Sequence, residues 1–297
     1  MSEIDDILGT NNKTNKYTTN RNYNSKYNNK NTWIEKQNKD RQAIYDSMDR
    51  MALIVSNDSS KFQDYLNVQS RFAKYSVGNC LVILEKAPYS TKINDKNSWE
   101  EKGVNLKENA KAIKILEPSK SNGRTYFNPK EVYDISQTTA EKQNLEINYG
   151  DRKLLEALLY ECDVPRKAVE KLPDGTIGSL YSRAENTLYV CKGMERELLF
   201  QTLCQEMGNI EMRNEEDSNI KSFKSYCISY LICNRYGIDV SNFNFNNLPS
   251  EITNQKEPKG IRNEMEQIRT NFERINTRMT EYFEMSSKEK NKSVPER

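Results

Sequence analysis

Apolar residues in this chain gather in two stretches, 41–116 and 153–240, with polar segments before, between and after them. A core forms only where apolar side chains leave water together, so these stretches decide where folding is driven. At 297 residues the chain exceeds the usual size of one core, and the division predicts two compact units with tails. No run approaches the roughly 20 apolar residues of a membrane span. The start of the chain carries charges where a secretory apolar region would lie, so a soluble, cytoplasmic protein with no membrane partner is expected. The 45 basic and 43 acidic residues net +2, which argues against a general nucleic-acid coat and leaves room for local basic patches.

Residues 10–32 contain no acidic residue, and Lys13, Lys16, Arg21, Lys26 and Lys30 are interleaved with Tyr17, Tyr23, Tyr27 and many asparagines. Such a segment cannot bury a core, so 1–32 is expected as a disordered basic arm, either a tether for nucleic acid or a solubilising tail. In 33–138, Ala43, Ile44, Ser47, Met48 and Met51 mark one helical face. Phe62, Tyr65, Leu66, Gln69, Phe72 and Ala73 mark a second helix, interrupted near Gly78 and stopped by Pro88. A strand over 112–116 ends at Pro118, its partner lies at 132–135, and 119–124 reads as the loop between them.

Residues 139–149 are polar and suit a linker. In 150–250 the pattern predicts a helix at 154–161. Pro173, Asp174 and Gly175 then introduce short strands at 177–181 and 187–190 joined by a turn at 183–186, and helices follow at 195–212 and 220–236. The fold class expected for both parts is α+β. Ile261, Met265, Ile268, Phe272, Ile275, Met279 and Tyr282 then step by four and three, which predicts a long helix over 260–285 with a narrow apolar stripe. That stripe suits docking on its own domain or self-association, with a foreign partner third. Cys80, Cys162, Cys191, Cys204, Cys227 and Cys233 form no CxxC pair and lie mostly in apolar helical patterns, so they read as buried thiols.

The stretch LLFQTLCQEMGNIEM, 198–212, carries Gln205, Glu206 and Asn209 at the spacing where a zinc peptidase holds His, Glu and His, yet the chain has no histidine. Positions i and i+4 share a helix face and can grip one ion, while the intervening glutamate takes a proton from metal-bound water. Neutral amides are weak zinc donors. Without the metal, water keeps a pKa near its bulk value of about 15.7 instead of about 7. Cys204 lies about 100° around the helix and does not replace a ligand. The acidic cluster Glu211, Glu215, Glu216 and Asp217 reads as a solvated loop. No metal and no cofactor are expected, and Gln205 and Asn209 should hydrogen-bond each other or nearby backbone in a filled pocket.

The first part also resembles a known family. Arg71, Phe72, Tyr75, Ser76, Asn79, Leu81, Ile83, Pro88 and Thr91 match it, followed by Trp99, Gly103, Lys107, Lys111, Ile113 and Pro118, and then Val132, Asp134, Ser136, Gln137 and Thr138. In order and spacing this set resembles the N-terminal single-stranded-DNA-binding domain of ArdC-type antirestriction proteins, including LtrC-like members carried by conjugative elements of Gram-positive bacteria. The family's Gly-rich basic turn is altered at 107–112, where both glycines are missing and Glu108 adds negative charge. The part 150–250 resembles the metallopeptidase domain of the same proteins, related to ImmA/IrrE-like and SprT-like zincins. The third ligand of that domain, a glutamate, falls on Tyr226 by counting back from Gly237 and Asp239.

The resemblance implies a nucleic-acid face with Arg71, Lys74, Lys107, Lys111 and Lys114 as cations, Tyr75 and Trp99 as stacking platforms, and Ser76 and Asn79 beside them. Stacked bases contribute roughly 1–3 kcal/mol each. Competing readings make Trp99 a core anchor and have Asn79 and Gln137 hold loops through backbone hydrogen bonds. It also implies a pseudoenzyme of zinc-metallopeptidase fold with Gln205, Glu206, Asn209 and Tyr226 as vestigial positions. The function expected is that of a non-catalytic anti-defence protein of a mobile element, antirestriction or anti-CRISPR, which binds single-stranded DNA, a host defence protein, or both. An interaction module built on a pseudo-metallopeptidase, with DNA incidental, is the alternative. An active metallopeptidase ranks last.

Overall fold

Ile44, Met48, Met51, Ala52 and Val55 recur at helical spacing, and all are buried on one helix, α1 (Asn22–Asn57). The computed structural model describes residues 22–140, 149–173, 178–216 and 218–292. The expected arm at 1–21 and most of the expected linker, 141–148, therefore lie outside the described residues, as do Asp174, Gly175 and Ile177. α1 begins at Asn22, inside the segment expected to lack structure. Helix nucleation is the costly step, and once packing holds the apolar turns each further residue adds one hydrogen bond.

Asp58 caps α2 (Ser59–Arg71) by accepting from the Ser60 and Lys61 N–H groups, and Ser76 caps α3 (Val77–Lys86). The break between these helices falls at 72–76. Gly78 lies inside α3, where an added Cβ would come within 2.7 Å of Met48 Sδ, so its role is close approach to α1 and not interruption.

β1 (Ile93–Asn94), α4 (Lys96–Glu100), β2 (Ile113–Ser121) and β3 (Arg124–Asp134) follow, with the strands antiparallel in the order β1-β3-β2. The expected loop at 119–124 shrinks to Asn122 and Gly123, whose φ values of 49° and 71° give the turn that matches strand twist. Pro118 does not end β2. It lies on an edge strand, where a proline's missing N–H is tolerated. Residues 117–128 are exposed throughout, so the two strands run past the core as a ribbon.

α5 (Asp151–Leu158), β4 (Arg166–Val169), β5 (Ser179–Ser182) and β6 (Thr187–Cys191) precede α6 (Arg196–Glu211), α7 (Asn219–Arg235), the short α8 (Ser250–Thr253) and α9 (Pro258–Lys292). β5 and β6 form the expected hairpin. β4 carries no apolar alternation that sequence could reveal, because Arg166, Lys167 and Ala168 are exposed; it pairs in parallel with β6. An added Cβ on Gly208 of α6 would sit 3.1 Å from Ser225 Cα of α7, so the glycine lets two largely buried helices cross closely.

Among the described residues, those up to Asp40 and those from Arg41 onward fall into two compact units. Within the second, the two apolar stretches meet in one core that runs from Ile44 to Phe283. α2 packs on α7 through Phe62 and Phe223, with ring centroids 5.6 Å apart. Asn67 of α2 accepts from the Tyr230 hydroxyl at 2.6 Å and from Asn234 at 3.1 Å. The seam of α9 docks on its own chain: Ile261, Met265, Ile268, Phe272, Ile275 and Met279 are each 1% exposed or less, against α3, α5, α6 and α7. Its last step falls on buried Phe283 and leaves Tyr282 half-buried. Cys80, Cys204, Cys227 and Cys233 are buried, Cys162 and Cys191 are half-buried, and all six are free thiols. The fold is mixed α+β.

Candidate nucleic-acid interface and the Glu206 helix

Several residues expected to touch nucleic acid instead hold backbone. Asn79 is buried, its Nδ2 donating to Leu116 C=O at 2.8 Å and its Oδ1 accepting from Leu116 N–H at 2.9 Å. Leu116 faces Pro129 across the ladder, so the amide occupies the outer edge of β2 in place of another strand. Trp99 is 2% exposed and donates its indole N–H to Tyr133 C=O at 3.0 Å, which makes it a core anchor with no face free for stacking. Arg71 donates to Pro88 C=O, and burial lowers its pKa. Gln137 accepts from Lys111 N–H at 2.6 Å, while Lys107 Nζ donates to Ser136 C=O at 2.9 Å. Lys114 lies 3.9 Å from Glu131.

The structure gathers the rest. Lys74, Tyr75, Ser76 and the edge of Asn79 line a cleft of about 640 Å³, facing Tyr45 and Met48 of α1 and Pro118, Phe127 and Lys130 of the ribbon base. That volume lies within the roughly 300–1,000 Å³ of ordinary ligand sites. Arg71, Trp99, Lys107, Lys111 and Lys114 do not line it. Its walls are braced. Lys130 reaches Glu117 at 2.6 Å and Asp95 at 3.0 Å, and Arg41 Nε donates to Phe127 C=O at 2.9 Å. The Ser98 N–H and Lys130 hold the Asp95 carboxyl down at about 2, against a smaller opposing effect of burial. Burial pushes the Tyr75 phenol up. Sequence reasoning missed Tyr45, Asn94, Phe127 and Lys130. The one local signal was an aromatic pair, Tyr126 and Phe127, in an otherwise polar segment, and both rings are about half exposed.

On α6, Glu206 is buried and its carboxylate accepts from Tyr181 N–H at 2.9 Å and Asn209 Nδ2 at 3.1 Å. Burial raises its pKa, and these two bonds oppose the rise. Asn209 therefore bonds Glu206 and not Gln205. Gln205 is half-buried beside them. The Tyr226 hydroxyl accepts from Asn244 N–H at 2.7 Å, and its ring packs on Phe243 and Phe245. Two amides, a phenol already accepting a hydrogen bond and one carboxylate committed to strand β5 do not fit a divalent cation. Among the described residues, no three His, Cys, Asp or Glu side chains come together as a metal site.

No protein-family model matches the chain, and no curated protein does. Solved structures to which the chain is similar include the antirestriction protein ArdC from plasmid R388 in a Mn(II)-bound crystal form. It is 12% identical, with 70% of this chain and 84% of that chain covered and a TM-score of 0.44. The metal-free form of the same protein is also 12% identical, with 70% and 85% covered and a TM-score of 0.40.

Proposed function

We propose that this chain is a non-catalytic anti-defence protein that binds single-stranded DNA on the face built by Lys74, Tyr75 and the β2–β3 ribbon. The reading includes a zincin-like part, 150–250, that lacks metal chemistry, and an ArdC-like part, 33–138, that carries the binding face. One observation supports it most. Lys74, which is exposed, and Tyr75 line an aromatic cleft built in part by a ribbon whose Lys120 and Arg124 are exposed. Single strands are held by cations that track phosphates and by rings on which bases stack, and this face offers both. Several residues that carry the sequence resemblance pin backbone, as Asn79, Trp99 and Gln137 do, and others, such as Leu81 and Ile113, are core, so they support a shared frame more than shared ligand contacts.

Titration of a fluorescent single strand at about 50 mM and about 200 mM salt tests this, since counterion release makes affinity fall as salt rises. Salt-sensitive binding is the expected result. No binding at the lower salt overturns it. A protein partner retained from a nuclease-treated lysate in that case favours the interaction-module reading.

A further inference from the structure

We propose that the cleft between α1, α3 and the base of the β2–β3 ribbon is a pocket for one unstacked base of a single-stranded nucleic acid. This rests on the single-strand reading above and names what that surface holds. Three rings, Tyr45, Tyr75 and Phe127, surround one cavity of about 640 Å³. Tyr45 is 36% exposed and Phe127 47%, so both keep accessible ring surface. Every base presents a flat π-face, and rings brought around a cavity accept one without reading sequence.

The electrostatics favour a base within the cavity and a phosphate at its mouth. Asp95 and Glu117 in the lining share the single charge of Lys130, so one net negative charge stays on that wall and the interior turns phosphate away while accepting an uncharged plane. Lys74 lines the same cleft, and no ion pair engages it among the described residues. It is a cation open to phosphate. Lys120 and Arg124 continue that sign along the exposed ribbon. An aromatic side chain of a protein would fill the interior equally well but would leave these cations unused, so a phosphate-linked occupant fits better. The walls are set in advance, because Arg41 holds the backbone at Phe127 and Asn79 holds β2 at Leu116. Binding then requires little ordering.

The test uses the full chain with an oligothymidylate and an abasic oligonucleotide of equal length and charge. The abasic strand should bind more weakly by a factor between about 5 and about 150, the range expected for losing one stacked base. Phe127→Ala should weaken oligothymidylate by a similar factor and leave abasic binding unchanged. Its ring is half exposed, so this variant folds, and Tyr75→Phe, which keeps a ring, should bind like the parent. Lys74→Ala should weaken both strands and lower the salt slope. Equal binding of the two strands, or an unaffected Phe127→Ala, overturns the base pocket and leaves the single-strand reading standing. Failure of both strands to bind at low salt overturns both. Loss of a protein partner in Phe127→Ala, with DNA binding intact, assigns the cleft to a protein side chain and overturns the proposal.

Discussion

Asn79→Ala removes the amide that binds both backbone groups of Leu116 on the outer edge of β2. Each buried backbone group left without a partner costs about 1–3 kcal/mol. β2 is an edge strand, so water reaches part of the vacated site and the combined cost should be about 2–4 kcal/mol. For a unit spanning Arg41–Arg297, one kcal/mol moves the melting temperature by about 2–4 °C, so thermal unfolding followed by circular dichroism should shift down by about 5–15 °C. Asn79→Asp keeps the acceptor for Leu116 N–H but sets a carboxylate against Leu116 C=O. The folded state raises that pKa, so stability is retained at low pH and lost as pH rises through the raised value. An unchanged Asn79→Ala melt would refute the argument. Loss of DNA affinity at an unchanged melting temperature would refute it more sharply, since it would return Asn79 to the binding face.

Glu206→Ala leaves Tyr181 N–H and Asn209 Nδ2 without their acceptor and should cost about 1–3 kcal/mol per stranded group, whereas Glu206→Gln keeps one acceptor oxygen and should fold and bind DNA like the parent. Burial raises the Glu206 pKa, so its ionisation opposes folding: parental stability should fall, relative to Glu206→Gln, as pH rises from about 4.3 through the raised value, and urea midpoints measured across that range check the sign. Asp95 is lowered to about 2, so its contribution is complete above the ordinary value of about 3.9 and disappears as pH falls towards 2; Asp95→Asn should flatten that acid limb in a circular-dichroism titration. Lys224 is 5% exposed and lies 2.7 Å from Glu264 on α9, so Lys224→Ala should cost about 2–4 kcal/mol in chemical denaturation. Lys61→Ala, which breaks an exposed and solvent-screened pair with Asp64, should leave the denaturation midpoint unchanged.

The amino-acid sequence determined the local elements wherever their period was strong. The helices through Ile44, Phe62, Phe200 and Ile228, the hairpin of β5 and β6, and the α9 seam follow from side chains recurring at intervals set by backbone geometry. The unsuitability of Gln205, Asn209 and Tyr226 as metal donors follows from residue chemistry alone. Tertiary structure decided which surfaces meet. β4 was illegible because an exposed strand carries no apolar alternation, and Pro118 misled because its tolerance depends on an edge position that only the sheet order creates. Tyr45 and Phe127 reach one cleft, and Asn79 in its wall pins the edge of β2, through contacts between elements distant in sequence. Such contacts are selected by the complementarity of whole surfaces when they leave water, a quantity no short window of residues contains.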